Sequence, residues 1–523
     1  MSELLHQLLC VEASQLSRPA LYFKQREITY GELAQEVDAV ASGFSQLNLQ
    51  RAGRVAIYLP KQPETVSAMF GCSKAGGVFI PVNPQLKAAQ VEHILSDSGA
   101  QFLVTSRQRW QQMSSQIQAP TTLEKVILVD GDDDLDDALS LGWSQFLQKT
   151  STSPSTLTPN DMAAILYTSG STGSPKGVVL SHRNLLAGAD SVSQYLCNDK
   201  NDRLLAVLPL SFDYGLSQIT TAFFVGASVI LLDYLLPRDV VKAVATYQAT
   251  ALAAVPPLWV LLAELEWPEE AKHHLRYWTN SGGAMPEAVL KKLQTQLPTT
   301  TPYLMYGLTE AFRSTYLEPK QLEQRPTSIG KAIPNAEIMV LREDGTPCAV
   351  DEPGELVHRG PHVSLGYWNA AEKTAERFRP YTASGEIQIP EYVVWSGDTV
   401  VKDTEGYLYF VGRKDDMIKS SGYRISPTEV EEIAYQHPEV AEVAAIGIPH
   451  QQWGEAVTLI VKPKAAEAWE QQALLRHCAK QLPNFMHPKA VIELPELPKN
   501  PNGKIDRKQL KQQYLTFFQD SDA

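Results

Sequence analysis

The chain has 523 residues, of which 44% are hydrophobic and 20% are charged, as is typical of a globular protein with a packed core. At about 150 residues per domain, this length predicts three or four folding units. Its 59 acidic residues outnumber the 46 basic ones, giving a net charge of −13. Binding to nucleic acid or to an anionic membrane requires a basic surface, so we expect neither partner.

The five cysteines are scattered and form no Cys-x-x-Cys pair: Cys10, Cys72, Cys197, Cys348 and Cys478. This spacing excludes a zinc knuckle and a disulfide framework. The N-terminal residues lack the basic and apolar regions of a signal peptide. The most apolar stretch, 221–236, contains Gly226 and Asp233 and is too short to span a membrane. We therefore expect a cytoplasmic protein.

Residues 21–104 alternate short apolar runs with amphipathic segments. The pattern predicts helices over 32–47, 64–75 and 91–95, and strands over 55–59 and 78–81. Strands that alternate with helices in this way form crossover units of a parallel sheet.

An Asp-rich insertion at 131–137 and a Ser/Thr/Pro linker at 150–159 then precede a buried strand at 163–167. The alternation of strands and helices resumes over 204–302 and gives way to short, Gly-punctuated β segments near 354–366. These changes predict that a β-rich subdomain follows the layered α/β part of the chain.

From residue 426 the pattern changes to that of a small α+β domain. It predicts two helices, at 428–435 and 466–481, and three strands, at 440–448, 456–461 and 490–494. The expected fold class is therefore α/β, with a large N-terminal domain over 1–412 and a small α+β domain over 413–523.

The Gly-rich segment 167–178 follows the buried strand and precedes a helix that starts near His182. Its glycines allow backbone conformations that other residues avoid, so N–H groups and hydroxyls can converge on a phosphate. Lys176 supplies positive charge for phosphoryl or nucleotidyl transfer. The spacing differs from that of a Walker P-loop, and a flexible Gly/Ser linker is the alternative.

This segment resembles the Gly-rich loop of the adenylate-forming (ANL) superfamily, which includes acyl-CoA synthetases, adenylation domains of peptide synthetases and luciferases. Four further segments resemble motifs of the same superfamily in the same order: Tyr-Gly-Leu-Thr-Glu at 306–310, Trp-Ser-Gly-Asp at 395–398, the hinge motif at 412–425 and Pro-Asn-Gly-Lys-Ile-Asp-Arg at 501–507. The resemblance implies the ANL fold with a mobile small domain, ATP and Mg²⁺ as cofactors, and activation of a carboxylic acid as its adenylate.

The resemblance also assigns nucleotide-binding residues: Thr168, Ser169, Gly170, Ser171, Thr172, Gly173, Tyr306, Gly307, Asp398, Arg413 and Arg424. Tyr306 is expected to stack on adenine, Asp398 to accept hydrogen bonds from the ribose hydroxyls, and Arg424 to contact a phosphate. Thr309 and Glu310 offer a hydroxyl and a carboxylate suited to Mg²⁺, and Thr168 and Glu310 are the expected metal ligands. Without its neighbours, Tyr306 would be read as a core tyrosine.

Four residues are expected to act in catalysis: Lys504, Lys176, Thr309 and Glu310. A carboxylate that attacks the α-phosphate of ATP needs no general base, because the difficulty is to bring two anions together. Lys504 can bridge them by electrostatics and positioning. By resemblance, Asp415 is the hinge that carries Lys504 in and out of the site. A surface lysine and a solvated charge run at 414–416 are the alternatives.

Residues 208–215 resemble the motif in which peptide-synthetase adenylation domains carry Phe-Asp, whose Asp pairs with the substrate's α-ammonium group. A carboxylate facing only a greasy tail loses its hydration, whereas a protonated amine gives it a charge-assisted hydrogen bond. Asp213 therefore favours an amino-acid substrate, with a helix cap near Gly215 as the alternative. The other pocket residues expected by approximate alignment are Tyr214, Ser217, Leu258, Thr279, Ser281, Met305 and Arg313.

Residues 211–214, 234–238 and 278–285 resemble two subgroups. One comprises stand-alone prolyl-[carrier protein] ligases, such as the adenylation protein of the anatoxin pathway. The other comprises AMP-forming acyl-CoA ligases associated with exosortase systems. We expect activation of L-proline or a similar small amino acid, followed by transfer to the phosphopantetheine thiol of a separate carrier protein, since only 505–523 follow Lys504.

Two alternatives to this expectation stay open. The first is an AMP-forming acyl-CoA ligase that acts on a small or medium carboxylic acid, since CoA presents the same thiol as a carrier protein. The second is an inactive nucleotide-binding regulatory module. Against an inactive module stand five residues that are all present with the chemistry that catalysis needs: Lys176, Thr309, Glu310, Asp398 and Lys504.

Overall fold

The computed structural model describes nine segments of the chain: 2–131, 138–147, 156–168, 175–382, 390–413, 416–420, 423–450, 453–465 and 469–518. Five of the predicted features lie wholly or mostly outside these residues: the Asp-rich insertion (132–137), the first part of the Ser/Thr/Pro linker (150–155), most of the Gly-rich loop (Ser169, Gly170, Ser171, Thr172 and Gly173), the hinge residue Asp415 and the side chain of Arg424.

The α-helices, numbered along the described parts of the chain, are α1 (Tyr30–Gln46), α2 (Pro63–Lys74), α3 (Ala88–Ser98), α4 (Arg107–Ser114), α5 (Trp143–Phe146), α6 (His182–Tyr195), α7 (Asp213–Phe224), α8 (Pro237–Thr246), α9 (Pro256–Leu262), α10 (Glu269–His274), α11 (Glu287–Gln296), α12 (Ala371–Arg377), α13 (Pro427–Tyr435), α14 (Gln471–Gln481) and α15 (Arg507–Gln513).

The strands of the first half are β1 (Pro19–Phe23), β2 (Arg26–Thr29), β3 (Arg54–Tyr58), β4 (Val78–Pro81), β5 (Phe102–Thr105), β6 (Lys125–Leu128), β7 (Ser140–Gly142), β8 (Met162–Thr168), β9 (Lys176–Ser181), β10 (Arg203–Ala206), β11 (Ser228–Leu231), β12 (Ala251–Ala254) and β13 (Tyr277–Asn280). Those of the second half are β14 (Thr301–Tyr306), β15 (Thr315–Leu317), β16 (Ser328–Ala332), β17 (Glu337–Leu341), β18 (Gly354–Arg359), β19 (Gly366–Tyr367), β20 (Phe378–Tyr381), β21 (Glu391–Lys402), β22 (Leu408–Arg413), β23 (Ile418–Ser420), β24 (Tyr423–Ile425), β25 (Val440–His450), β26 (Gly454–Pro463) and β27 (Ala490–Glu493).

Within the described residues, the strands form three sheets. The first has the order β19-β9-β8-β4-β3-β5-β6-β7, and the second runs β17-β18-β21-β22-β16-β15-β14-β13-β12-β10-β11-β1-β2, with β20 beside β21. Neighbouring strands are parallel in the series β4-β3-β5-β6-β7 and β11-β10-β12-β13-β14. They are antiparallel in the series β14-β15-β16-β22. The expected layered α/β part and its β-rich continuation are thus confirmed.

The third sheet belongs to the small C-terminal part and has the order β24-β23-β26-β25, with β27 parallel to β26. Its own apolar core includes Val430, Leu459, Leu474 and Cys478. Because this sheet exchanges no strand with the other two, the small α+β unit that the sequence predicts is confirmed as a separate packing unit.

Local chemistry accounts for where several elements begin. The backbone N–H of Glu32 donates to the Thr29 hydroxyl over 3.2 Å, and the Glu32 carboxylate accepts from the Thr29 N–H over 2.8 Å. This capping box starts α1 two residues before the predicted position. Helix α14 begins at Gln471, after the expected 466, because Glu470 is extended as its N-cap.

No helix within the described ranges is long and apolar enough to cross a lipid bilayer.

Candidate active site

Lys504 lies in a tight loop whose two ends, Lys499 and Ile505, form an antiparallel β-bridge. Inside the loop the side-chain oxygen of Asn500 accepts hydrogen bonds from the backbone N–H groups of Asn502 and Lys504, each over 3.0 Å. The polar side chain of Asn500 thereby closes the loop as a turn residue does. The loop is consequently ordered by the small domain's own residues.

The large domain provides the seat into which this loop fits. The Lys504 ammonium lies 5.1 Å from the centre of the Phe212 ring. Gly282 has a positive φ of 82°, and a Cβ at this position would lie 2.7 Å from Lys504 Cε. The Asn83 side chain donates to the carbonyl oxygen of Pro501 over 2.8 Å. Only glycine at 282 satisfies both the backbone conformation and the approach of the lysine.

Two arginines and two aspartates determine the electrostatic environment of Lys504. Burial of the ammonium group lowers the pKa of Lys504 to about 8, and the cations Arg413 and Arg313 lower it further while Asp213 and Asp398 oppose the shift. Lys504 is therefore a cation at neutral pH that is held inside the protein close to two carboxylates.

Asp398 is buried, with only 4% of its surface exposed. The Tyr306 hydroxyl donates to one of its oxygens over 2.5 Å, and Arg413 Nε lies 3.2 Å from the other. Antiparallel pairing of β21 with β22 sets Asp398 opposite Arg413. Burial raises the pKa of Asp398, and Arg413 acts against that rise. The structure thus brings together three residues that the motifs separate by up to about a hundred positions.

Glu310 is held by a residue that the sequence analysis missed. The Tyr367 hydroxyl donates to the Glu310 carboxylate over 2.6 Å. The Lys176 ammonium lies 5.4 Å from the centre of the Tyr367 ring, because β19 pairs with β9. Burial lowers the pKa of Lys176, as do the cations Lys373 and Arg377. In the sequence, Tyr367 is marked only by its place at the end of the Gly-punctuated segment. That pattern does not indicate which residue Tyr367 contacts.

The Gly-rich loop itself lies outside the described residues, but both of its ends are described. Thr168 pairs with Lys176 at the end of the antiparallel β8–β9 ladder, and the Thr168 hydroxyl lies 3.5 Å from the Lys176 carbonyl oxygen. At Gly307 a Cβ would lie 2.4 Å from the Phe312 carbonyl oxygen. Glycine at 307 therefore serves a close backbone approach.

Asp213 has partners that the sequence analysis did not foresee. Arg313 Nη1 donates to one carboxylate oxygen over 3.0 Å, and the Thr309 hydroxyl donates to the other over 3.1 Å. Both members of the ion pair are buried, with exposures of 4% for Asp213 and 2% for Arg313. The protein's own arginine therefore already compensates the charge that was expected to await a substrate ammonium group.

One local expectation at this end is wrong. Asp213 is the first residue of α7, whose N-cap is Phe212, and its side chain makes no capping hydrogen bond, so the helix-cap alternative fails. The Thr309 hydroxyl donates to Asp213 in this structure, and its role beside Glu310 at a metal stays a prediction.

A narrow cavity lies beside the ion pair and has room for about one water molecule. It is lined by five predicted pocket residues, Tyr214, Ser217, Thr279, Met305 and Arg313, and by six that were not predicted, Val192, Leu196, Leu204, Gln218, Thr221 and Tyr277. Gln218 and Thr221 could have been found, because they share the face of α7 that carries Tyr214 and Ser217 at helical spacing. The hydroxyls of Tyr214 and Thr279 lie 2.5 Å apart.

Three of the expected pocket residues do not line this cavity. Leu258 and Ser281 are buried and are not among its lining residues, and their place in an acyl pocket stays a prediction. Asp213 reaches the cavity only through Arg313.

Comparison with protein families agrees with this geometry. The model of the AMP-binding enzyme family matches residues 11–368, and that of the AMP-binding enzyme C-terminal domain matches residues 429–504. Because these matches cover most of the chain, the protein belongs to the AMP-binding enzymes of the adenylate-forming superfamily.

Two curated relatives span almost the whole chain but differ in substrate. The chain is 31% identical to a long-chain-fatty-acid–CoA ligase of Escherichia coli O157:H7, covering 94% of this chain and 91% of that protein. It is 30% identical to an L-proline–[L-prolyl-carrier protein] ligase of Pseudomonas fluorescens, covering 98% and 99%. Relatives of nearly equal identity thus act on different acids.

Solved structures support the same fold. The chain aligns with ATP-bound MatB from Rhodopseudomonas palustris with a TM-score of 0.86 and 25% identity, covering 99% of this chain and 100% of that one. The anthranilate CoA ligase AuaEII in complex with anthranoyl-AMP gives a TM-score of 0.87 at 24% identity, covering 98% and 99%.

Enzymes of this superfamily use ATP and Mg²⁺, and the residues present fit both. Mg²⁺ in nucleotide sites is held by one or two carboxylates together with phosphate oxygens and water, and Glu310 supplies such a carboxylate. Among the described residues, no three acidic, histidine or cysteine side chains lie together as a metal site.

Proposed function

We propose that this protein joins a small carboxylic acid to a pantetheine thiol in two steps at one site. In the first step the acid and ATP give an acyl-adenylate and pyrophosphate. In the second step the thiol sulfur attacks the acyl carbon, AMP leaves and the thiol proton passes to solvent. The observation that carries this proposal is the buried ammonium group of Lys504, which lies 5.1 Å from the centre of the Phe212 ring and is attracted by the carboxylates of Asp213 and Asp398.

In the adenylation step a carboxylate oxygen bonds to the α-phosphorus while the bond to pyrophosphate breaks. No proton moves, so the barrier to be lowered is the repulsion between two anions. Lys504 offers its charge to both anions in a low-dielectric site, where a cation stabilises charge more strongly than in water. Lys176 offers a second charge on the side of Glu310.

The other nucleotide contacts follow from the residues around Asp398. We assign the Tyr306 ring to the adenine, the Asp398 carboxylate to the ribose hydroxyls and Glu310 to Mg²⁺. We assign the phosphates to the Gly-rich loop 168–173 together with Arg413 and Arg424. The mutual hydrogen bond of Tyr306 and Asp398 supports this assignment, because it orients a ring and a carboxylate toward one ligand.

The thiol must reach the carbon that Lys504 covers, so the small domain has to rotate between the two steps. We place the pivot at Asp415, between domains 1–412 and 413–523. Two hydrogen bonds between the domains would break on rotation: Asn83 to Pro501, and the Glu287 N–H to the Glu432 carboxylate over 3.1 Å. Both are single polar contacts, which are easily exchanged for water.

Two classes of carboxylic acid are candidate substrates. L-proline is favoured by the Phe212-Asp213 pair and by similarity to the proline ligase. An acid without an ammonium group is favoured by the ion pair of Asp213 with Arg313, because an ammonium would have to displace or crowd a buried guanidinium. We favour the second class, and CoA and a carrier protein remain equivalent acceptors because both present a pantetheine thiol.

ATP–pyrophosphate exchange with a panel of acids tests the proposal. We expect exchange with a subset of small acids and none without acid. The Lys504→Ala variant should lose exchange while still transferring acyl groups from a preformed adenylate to CoA. Absence of exchange with every acid would overturn the proposal, and a clear preference for L-proline would restore the amino-acid alternative.

A further inference from the structure

Glu431 and Glu432 are consecutive residues of α13, and their carboxylates bind different partners. The Glu431 carboxylate accepts hydrogen bonds from Arg507 Nε over 3.0 Å and from Arg507 Nη2 over 2.6 Å. It also accepts from the backbone N–H of Ala445 over 2.7 Å. Such bonds between arginine and a carboxylate are specific in geometry as well as strong. Because Arg507 follows Lys504 by only three residues, Glu431 ties the end of the lysine-bearing loop to α13.

The Glu432 carboxylate extends from the small domain to the start of α11 in the large domain. It accepts a hydrogen bond from the backbone N–H of Glu287 over 3.1 Å. Glu287 is the first residue of α11, and the N-cap residue Pro286 makes no side-chain capping hydrogen bond. The first N–H groups of a helix have no partner within it and carry partial positive charge. Glu432 therefore caps α11 from the other domain.

The charges near Glu432 make this contact favourable but limited in strength. Burial raises the pKa of Glu432, and the hydrogen bond from Glu287 opposes that rise. The Glu287 carboxylate repels Glu432, whereas Lys291 attracts it and also lies 3.5 Å from Glu287. Because attraction and repulsion partly cancel, the contact favours one domain orientation without preventing rotation out of it.

We propose that Glu432 is a positioning residue for adenylation, because its bond to α11 keeps the small domain in the orientation that places Lys504 in the active site. The connection from Glu432 to the lysine runs along α13 to Glu431 and from there to Arg507. This inference rests on the proposed two-step function and names a contact that favours the first of its two domain orientations. Loss of the contact should therefore slow adenylation and leave the thiol step unhindered.

The donor in this contact is a backbone N–H, so among the standard residues only proline at 287 removes it. Proline is tolerated at the first position of a helix. Pro286 already has the extended backbone that is required before a proline, with a φ of −60° and a ψ of 134°. Glu287→Pro should consequently break the contact and leave α11 intact. Glu287→Ala is the matched control, because it removes the same carboxylate but keeps the N–H.

Two rates are measured for each protein. The first is pyrophosphate exchange with ATP and the acid that the wild-type protein exchanges fastest, and the second is acyl transfer from the preformed adenylate of that acid to CoA. We expect Glu287→Pro and Glu432→Ala each to lower exchange by about 3- to 10-fold, the effect of one hydrogen bond, without lowering acyl transfer. Glu287→Ala should keep both rates within about twofold of the wild type, as should Glu429→Gln. Glu429 is exposed one turn earlier on α13.

Combining Glu287→Pro with Glu432→Ala should lower exchange no further than either change alone, because both remove the same bond. Equal exchange in Glu287→Pro and Glu287→Ala would overturn the inference while leaving adenylation intact. Equal losses of exchange and acyl transfer in Glu287→Pro would also overturn it, since damage to the fold affects both steps. Absence of exchange with every acid in the wild-type protein would instead overturn the proposed function.

Discussion

The two ends of the site handle their carboxylates in opposite ways. At the proposed nucleotide end, Glu310 and Asp398 each accept a hydrogen bond from a tyrosine hydroxyl, and Asp398 is also paired with Arg413, whose side chain is exposed. At the proposed acyl end, Asp213 is paired with Arg313, whose side chain is buried. The charge on Asp398 is thus balanced by an arginine that water can reach, whereas the charge on Asp213 is balanced entirely inside the protein.

Lys504 is influenced by the charges at both ends. Its ammonium is attracted by Asp213 and Asp398 and repelled by Arg313 and Arg413. A change of charge at either end should therefore alter the pKa of Lys504.

The largest effect is expected from breaking the acyl-end pair. Asp213→Ala leaves the Arg313 charge buried without a counterion, which lowers the free energy of unfolding by about 3–5 kcal/mol. Urea unfolding followed by circular dichroism measures this change. The double variant Asp213→Leu/Arg313→Met removes both charges and should recover most of the loss, so equal stabilities of the single and double variants would show that the pair carries no such charge balance.

A second prediction concerns the seat of Lys504. Gly282→Ala places a methyl group 2.7 Å from Lys504 Cε and so displaces the end of the lysine side chain, and we expect pyrophosphate exchange to fall about 100-fold, as a displaced catalytic group costs. Transfer from a preformed adenylate should fall much less. Gly345→Ala is the control, because its φ of 84° imposes the same backbone strain but a Cβ there meets nothing within 4 Å. Equal losses in the two variants would contradict the proposed seat.

The pH dependence of adenylation sharpens the position of Lys504 between the two ends. With a pKa of about 8 the ammonium is charged at pH 7 and mostly neutral at pH 9. The rate of adenylation should therefore fall about tenfold from pH 7 to pH 9, when measured by single-turnover kinetics. Because arginine stays protonated in this range, the residual rate of Lys504→Arg should be independent of pH, and a parallel fall in both proteins would assign the titration elsewhere.

The smallest effect is expected at the nucleotide end. Tyr367→Phe removes the hydrogen bond to Glu310 but keeps the ring beside Lys176, so we expect a rise of about 3- to 10-fold in the Mg²⁺ concentration that gives half-maximal exchange. The KM for the acid should not change, because the acyl end is untouched. A change in the acid KM alone would place Tyr367 with the acyl end.

The nucleotide end was largely predictable because it is built from short motifs. Glycines and turn residues beside each position give a local signal in the sequence, as they do at Tyr306 to Glu310, Asp398, Arg413 and Lys504. The fold was predictable for the same reason: α2 and β4 begin within one residue of their expected positions.

The acyl end was not predictable, because its decisive contact joins residues a hundred positions apart. Asp213 and Arg313 were both named as pocket residues, but no pattern in the sequence indicated that they bind each other. Tyr367 was missed for the same reason, since only the pairing of β19 with β9 brings it to Glu310 and Lys176.

The loop closed by Asn500 has one more consequence. Asn500 closes the turn through hydrogen bonds from Asn502 and Lys504, all within the C-terminal segment. In the proposed rotation the loop would travel as one ordered unit, so no entropy would be lost in ordering it again at each turnover. We expect Asn500→Ala to slow adenylation because it removes these two hydrogen bonds.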